Sequence, residues 1–532
     1  AHPSDCAAPR HKHTSASSVA MTFPRSPSSP FAKTPTSTTS LVGSRISPRR
    51  WATPEHVGKT LRNAMPPTTT VLVPGEESYE TERTACWNAD VVHKPACICQ
   101  PTTTAEVCEV VKFASRRREK LVLAGGRHGH DCMEDDALVL DMSKMKAVAV
   151  DAEQMTVTVE GGARLGDMDQ ACKPLGLACV TGTNPDTGVC GLSMAGGGGY
   201  MSRLYGMACD NFVSAEVVLA DGTAVLATKD NEHAELLWAV AGAGSNMGVV
   251  TRLTMRAHKM DRVFGGLTIN TALQKSTAAE IVGNWRDWLL AAPRSVASVA
   301  VLPCGAPVVP MISVELDQEK VPQQPEAAAK TGLACSPALQ QAFGKLGAFG
   351  SNLSIKMLKP MQYHSELQPA LEQMQQPGHY FDASVIVPEL SEAVIATLVK
   401  YTRELHPNSQ AAVIVFPLSG AVADAAVDSA AFYGGGRRPR GFWIIIEGKF
   451  EPDKRAPVVA WVKALKAALG TFGVSETAHT LDGNMTQDAS AAQQMGAIFG
   501  PNTRRVREVK AKYDPTNFFT CNRNITPLGA DE

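Results

Sequence analysis

The sequence predicts an α+β chain of more than one domain, on three observations. From about residue 100 to residue 257, short apolar strands alternate with amphipathic helical stretches. Beyond about 259, glycine thins out and longer helical patterns separate isolated apolar strands. Within the first region the stretch 183–211, TNPDTGVCGLSMAGGGGYMSRLYGMACDN, places glycine at 188, 191, 196, 197, 198, 199 and 206. Glycine weakens helices and strands, so such density marks backbone that approaches something closely or takes φ > 0. Interleaved with Thr, Ser and Asn, it suits a cradle of peptide N–H groups for a large, partly anionic ligand. A flexible linker would not run straight into the amphipathic MSRLYGM and the strand-like VSAEVVLADG.

At 532 residues with 44% hydrophobic composition, the chain has room for two or three packed domains. Its net charge of -1 gives no electrostatic case for nucleic acid or an acidic membrane. No apolar run reaches the roughly 18 residues of a transmembrane helix. Cys97 and Cys99 are spaced C-x-C with no second pair nearby, which makes no zinc quartet, so no metal is expected. The thirteen cysteines, an odd count, leave the redox compartment undecided. Residues 1–54 are basic and rich in Ser, Thr and Pro, with Asp5 the lone acid. That composition reads as an organelle (plastid or mitochondrial) transit segment or a disordered tail, and it lacks the apolar h-region of a secretory signal. Residues 1–69 are therefore set apart from the folded part. Nothing in the sequence speaks to oligomeric state.

Folded structure is expected from near Thr70. Thr103-x-x-Glu106 reads as a capping box opening a helix, with Val107, Val110, Val111 and Ala114 at helical spacing. A strand at Leu121–Ala124 precedes GGRHGH, and a second follows at Leu138–Leu140. Thr156–Glu160 alternates as a strand should, and Asp167–Lys173 reads as a short helix stopped by Pro174. Asp221-Gly222 signals a hairpin. LLWAVAGAGSNMG reads as a Gly-rich loop before the strand Val249–Met255. Its G-x-G-x-x-x-G spacing, ahead of a strand rather than after one, argues against a nicotinamide site. Further on, 317–330 reads as a solvated loop, and AAVIVFPLSG and FWIIIEGKF read as strands of a second domain.

Two long motifs carry a resemblance. TGVCGLSMAGGGGYMSRLYGMACDN, and YDPTNFFTCNRNI at 513–525, are similar almost position for position to those of berberine-bridge-enzyme-like FAD-linked oxidoreductases. The resemblance covers about 70–257 and 495–527. It implies a PCMH-type FAD-binding domain of two α/β subdomains over 70–257. A substrate domain, an antiparallel sheet backed by helices, is implied over 258–484. A C-terminal segment, 485–532, would return to the FAD domain. Secretion is an alternative address only through this resemblance.

The resemblance also assigns residues. The family's flavin-linked histidine follows a short Gly run after a strand, which places the covalent bond to FAD on His128, beside Gly125, Gly126, Arg127 and Gly129. Thr183, Thr187, Gly188, Gly191, Gly196, Gly197 and Asn211 of the glycine stretch, with Gly248, Val249 and Asn522, are the other expected FAD contacts. Asn246 to Val249 would lie against the cofactor. Many relatives add a second bond from a cysteine, but Asn184 occupies that place here and Cys190 stands further on, so FAD is expected to be mono-covalent. His130 falls where the family often has an aromatic residue facing the flavin, and would line the substrate cavity.

FAD takes a hydride from a carbon bearing a hydroxyl or amine, and the protein supplies orientation and a base. Relatives often carry Tyr-x-Asn-Tyr, where this chain reads His479-Thr-Leu-Asp482-Gly-Asn484. Asp482 or His479 can stand in for the missing tyrosine. Glu447 is a second candidate, since alternation along FWIIIEGKF puts Trp443, Ile445, Glu447 and Lys449 on one face. Tyr433 is a third. The leading expectation is an oxidase acting on a small molecule, carbohydrate first, with O2 as acceptor. The alternatives are a dehydrogenase of an aromatic alcohol or specialised metabolite, and a flavin-binding protein that has lost catalysis.

Overall fold

The computed structural model describes residues 54–321, 336–343, 348–351, 353–433, 441–473, 475–476, 496, 498–520 and 524–529. His479, Asp482, Asn522 and most of the 317–330 loop lie outside the described residues. Folded structure begins before Thr70, with the helix Pro54–Ala64. Val57, Leu61 and Met65 recur every four residues along it and are buried, Leu61 and Met65 in the core formed with Val71, Val73 and Cys97. This spacing was the signal in a stretch read instead by its composition.

The first sheet orders its strands Thr70–Leu72, Cys97–Gln100, Leu138–Asp141, Leu121–Ala124. The first pair is antiparallel and the other two pairs are parallel. The helix Thr104–Arg117 covers it, burying the four apolar positions of the expected stripe. Only half of the capping box forms. Thr103 Oγ1 accepts from Glu106 N at 3.2 Å, while the Glu106 carboxylate binds Thr102 N (2.7 Å) and the Thr68 hydroxyl (2.6 Å).

A five-stranded antiparallel sheet follows, ordered Val148–Asp151, Thr156–Glu160, Val249–Arg256, Phe212–Val218, Ala224–Thr228. Its last two strands form the expected hairpin, with Gly222 at φ 80° and its N–H donating to Leu219 O at 2.8 Å. Helix Leu165–Cys172 starts two residues earlier than expected and ends just ahead of Pro174. It runs into a 3-10 turn, Lys173–Leu175, whose early positions accept a proline because their N–H groups need no partner. The stretch read as a Gly-rich loop is mostly the buried helix Ala234–Ala243, followed by the turn Gly244–Met247.

The third sheet has eight strands, each pairing antiparallel, in the order Ser354–Gln362, Arg262–Thr271, Val308–Glu315, Val296–Pro303, Ala412–Leu418, Gly441–Glu447, Ala383–Val387, Ser475–Glu476. Alternate residues serve two cores. Ala300, Val413, Val415, Ile444 and Ile446 pack beneath the helices Lys275–Ala291, Glu392–Arg403 and Arg455–Gly470. Val299, Ile414, Phe416, Trp443 and Ile445 join the core that holds Val180, Cys190 and Met194 of the glycine stretch and its approach. The alternation expected through Lys449 ends at Glu447, because Gly448 breaks the strand. Its N–H donates to Asp382 Oδ1 at 2.9 Å and its carbonyl accepts from Phe381 N at 3.0 Å.

The helix Thr503–Tyr513 packs on Ala234–Ala243. From it, the fully buried Lys510 ammonium donates to Asn246 O (2.7 Å), Asp514 Oδ2 (2.7 Å) and Phe519 O (2.8 Å). Lys510→Ala strands the Asp514 carboxylate and should cost about 3–5 kcal/mol in urea unfolding. The pair Lys510→Met with Asp514→Asn should recover part of that loss.

Candidate active site

Two loops meet where the parallel strands end. A Cβ on Gly126 would collide with the backbone of Gly188, so glycine at both positions lets the loop after Leu121–Ala124 touch the glycine stretch. Arg127 takes φ 56° and turns its guanidinium away from the loop tip. It donates to Glu82 O (2.9 Å), to Glu82 Oε2 (2.6 Å) and to Asp141 Oδ2, which also accepts from Gln100 Nε2 at 2.7 Å. Arg127 lines the cavity, but its charge is committed to these two carboxylates. The next residue, His128, is thereby presented to the cavity. Its ring stacks on Trp87 (4.6 Å between centroids, 20° between planes), and Trp87 stacks on Tyr380 (4.4 Å, 25°).

Gly125, Gly126, Arg127, His128, Gly129, Thr183, Thr187, Gly188, Gly191 and Val249 all line one cavity, as the resemblance placed them around FAD. Gly196, Gly197, Gly248 and Asn211 do not line it. Ala195 and Gly198, on either side of the first two, do; a Cβ would meet the Phe432 ring at Gly196, and Leu192 and Ala208 at Gly197. Gly248 packs against Val217 and Val218. Asn211 is buried and spends its amide on Tyr205 O (3.1 Å) and Met207 O (2.8 Å), and its oxygen faces His258 Nε2 at 3.1 Å. Asn246 binds the C-terminal segment, its Oδ1 accepting from Ile525 N at 3.1 Å. Burial pushes the Cys190 thiol up to about 12, so it has little thiolate character.

The other wall comes from the eight-stranded sheet. Trp443, Ile445 and Glu447 face the cavity from one strand. Phe416, registered opposite Trp443, adds a second ring 5.7 Å from it. Gln375, Asp382 and Leu371 complete this side. Glu447 is 5% exposed. Burial raises its pKa to about 7 against the opposing pull of the Gln375 amide, which donates to Oε2 at 3.0 Å, and of Lys449. Tyr433 does not line the cavity: its ring lies against Gly500. Nor does His130, whose ring nitrogens lie 3.2 and 3.3 Å from the Asn88 amide. The sequence reading missed Trp87, Gln375, Asp382 and Phe416. A tryptophan isolated in the polar stretch around CWNAD was the available signal for Trp87; Gln375 carried none.

This cavity fits a flavin on its own features. A Cβ on Gly191 would meet nothing within 4 Å, so that surface is open and glycine-lined. The Trp87 indole N–H, on the cavity wall, is buried with no hydrogen-bond partner among the described residues.

Comparison with known proteins agrees with this geometry. The FAD binding domain model matches residues 95–228, and the Berberine and berberine like model matches 487–526. An FAD-linked oxidoreductase of Dictyostelium discoideum is 26% identical over 456 residues, 85% of this chain and 94% of the relative. The (R)-6-hydroxynicotine oxidase of Paenarthrobacter nicotinovorans is 25% identical over 478 residues, 86% of this chain and 97% of the relative. The solved carbohydrate oxidase of Microdochium nivale superposes with a TM-score of 0.73 at 20% identity, covering 89% of this chain and 99% of that one. Fold and cavity define a flavin-dependent oxidoreductase. The two matched models, an FAD binding domain and a berberine-like C-terminal segment, support a berberine-bridge-enzyme-like FAD-linked oxidoreductase that binds FAD.

A Cβ at Gly191 meets no protein atom within 4 Å, so Gly191→Val should fold and purify without the yellow flavin absorbance. Gly126→Ala forces two backbones apart and should lower soluble yield and melting temperature as well.

Proposed function

We propose that the chain is an oxidase whose FAD is tethered through His128 alone. It removes hydrogen from a hydroxyl-bearing carbon, most naturally of a carbohydrate, with O2 as acceptor. One observation carries the reading: a buried carboxylate, Glu447, faces the same cavity as His128 and the glycine stretch. A base is effective when its pKa lies near working pH, and burial brings Glu447 to about 7. When bound between the two glycine loops, FAD supplies the acceptor for the hydrogen and electron pair leaving the substrate carbon. Glu447 takes the hydroxyl proton onto its carboxylate. Gln375 holds that carboxylate in one orientation through its Nε2 donor. Trp443 and Phe416 offer flat apolar surface for the C–H face of a sugar ring, and Gln375, Asp382 and Glu447 offer partners for its hydroxyls. Asn184, in place of a second attachment cysteine, instead donates to Gln375 O at 3.3 Å.

The tether is tested by acid precipitation. The wild-type pellet should stay yellow and fluorescent, and the His128→Ala pellet should be free of flavin. Release of all flavin from the wild-type pellet would sink the covalent reading. With sugars as substrate, oxygen uptake distinguishes an oxidase from a dehydrogenase.

Glu447 must be ionised to act, so kcat/KM should fall as pH drops below about 7 and level off above it. Glu447→Gln should lose at least ~100-fold in kcat and the pH step with it. An unchanged pH step in that variant would move the base elsewhere.

A further inference from the structure

We propose that Cys86 and Cys132 form a redox pair that hydrogen peroxide closes into a disulfide, stapling the two segments that contribute the stacked Trp87 and His128 rings. Their Sγ atoms are 3.7 Å apart although 46 residues separate them in the chain. The bond needs the sulfurs at about 2 Å, a small closing movement. Cys86 immediately precedes Trp87, and Cys132 ends the 3-10 turn His130–Cys132 that follows His128. Each of the two sulfur-bearing segments thus contributes one ring of the stack, and Cys132 itself lines the cavity.

The two thiols are chemically unequal in the way such a reaction needs. Cys86 is half-buried and Cys132 buried. The hydrogen bond from Cys132, aided by the nearby Arg127 charge, holds Cys86 below the ordinary thiol range despite its burial. Burial instead pushes Cys97, Cys172 and Cys190 up to about 12, which makes them poor nucleophiles. Cys86 is the attacking sulfur. Its thiolate forms an S–O bond as the peroxide O–O bond breaks, and the hydroxide released takes up a proton to leave as water. Cys132, whose own thiol the hydrogen bond with Cys86 and burial push up, gives up its proton as it attacks that sulfur, the 3.7 Å separation standing in for thiolate character. The S–S bond forms, the S–O bond breaks, and the second oxygen leaves as water with the Cys132 proton. Two thiols are oxidised and one peroxide is reduced to two waters. A natural supply of peroxide at this position rests on the oxidase reading above. The pair itself does not, so the test adds peroxide from outside.

Purified full-length holoprotein is reduced, desalted and treated with stoichiometric hydrogen peroxide. Non-reducing peptide mapping should give a Cys86–Cys132 linked peptide, with the titratable thiol count lower by two. Oxidised wild type should also melt above reduced wild type, because the new bond restricts the unfolded chain. Cys86→Ser should keep its thiol count after the same treatment, form no link to Cys132 and melt alike in both conditions. Over-oxidation of Cys86 with Cys132 still a free thiol, or a link between other cysteines, would overturn the pairing. A link that leaves the melting temperature unchanged would overturn the staple. Failure of oxygen uptake with every substrate, with the link still forming, would count against the oxidase and leave the pair standing.

Discussion

The cavity depends on one buried ion pair. Arg127 and Asp141 face each other in the interior, and Glu82 and Gln100 complete the cluster. Gln100 and Asp141 are the last residues of two parallel strands, and Arg127 follows the end of a third. One guanidinium thus gathers the carboxyl ends of a sheet, the place where open α/β sheets bind ligands. Such a pair adds little net stability over an apolar packing, since desolvation offsets most of its attraction. Its contribution is geometric. It holds a non-glycine residue in the left-handed region, and that turn presents the next residue, His128, to the cavity.

The opposite wall is stiff for a different reason. The strand Gly441–Glu447 is buried on both faces, so the residues along it are committed either to the helices or to the cavity core. A one-residue slip would exchange Ile446 for Glu447 and place a carboxylate among the helices. The hydrophobic alternation that sets the register therefore also sets the position of the proposed base.

What the sequence reveals follows from how local each feature is. The face of Glu447 was legible because period-2 alternation is a property of a single strand, and it failed at Lys449 only where Gly448 turns out to satisfy Asp382. The mixed fold and the approach of loop 125–129 to residues 183–191 were legible from the glycine pattern and the family motifs. Which glycines face the cavity was not. Gly191 and Gly196 look alike in sequence, yet one borders open space and the other an aromatic ring 236 residues on. Asn211 shows the same limit, since a buried asparagine reads alike whether it binds a ligand or caps its own chain. His130 and Tyr433 were set aside by partners from distant segments, Asn88 and Gly500. Gln375 and Phe416 entered the site by the same kind of long-range packing.

The clamp on Asn246 bears on how the protein is made. The turn Gly244–Met247 next to the cavity wall is held by Lys510 and Ile525, which follow Asn246 by 264 and 279 residues. On the ribosome, the flavin half emerges long before the residues that lock this turn. Contacts of such separation form late in folding, because loop closure is costly until the intervening chain is in place. Until then the buried backbone of the turn has water as its partner, and the nascent chain offers an incomplete cleft to FAD. Completion of this side of the cavity thus waits on the segment that carries Lys510 and Ile525 rather than on the glycine loops themselves.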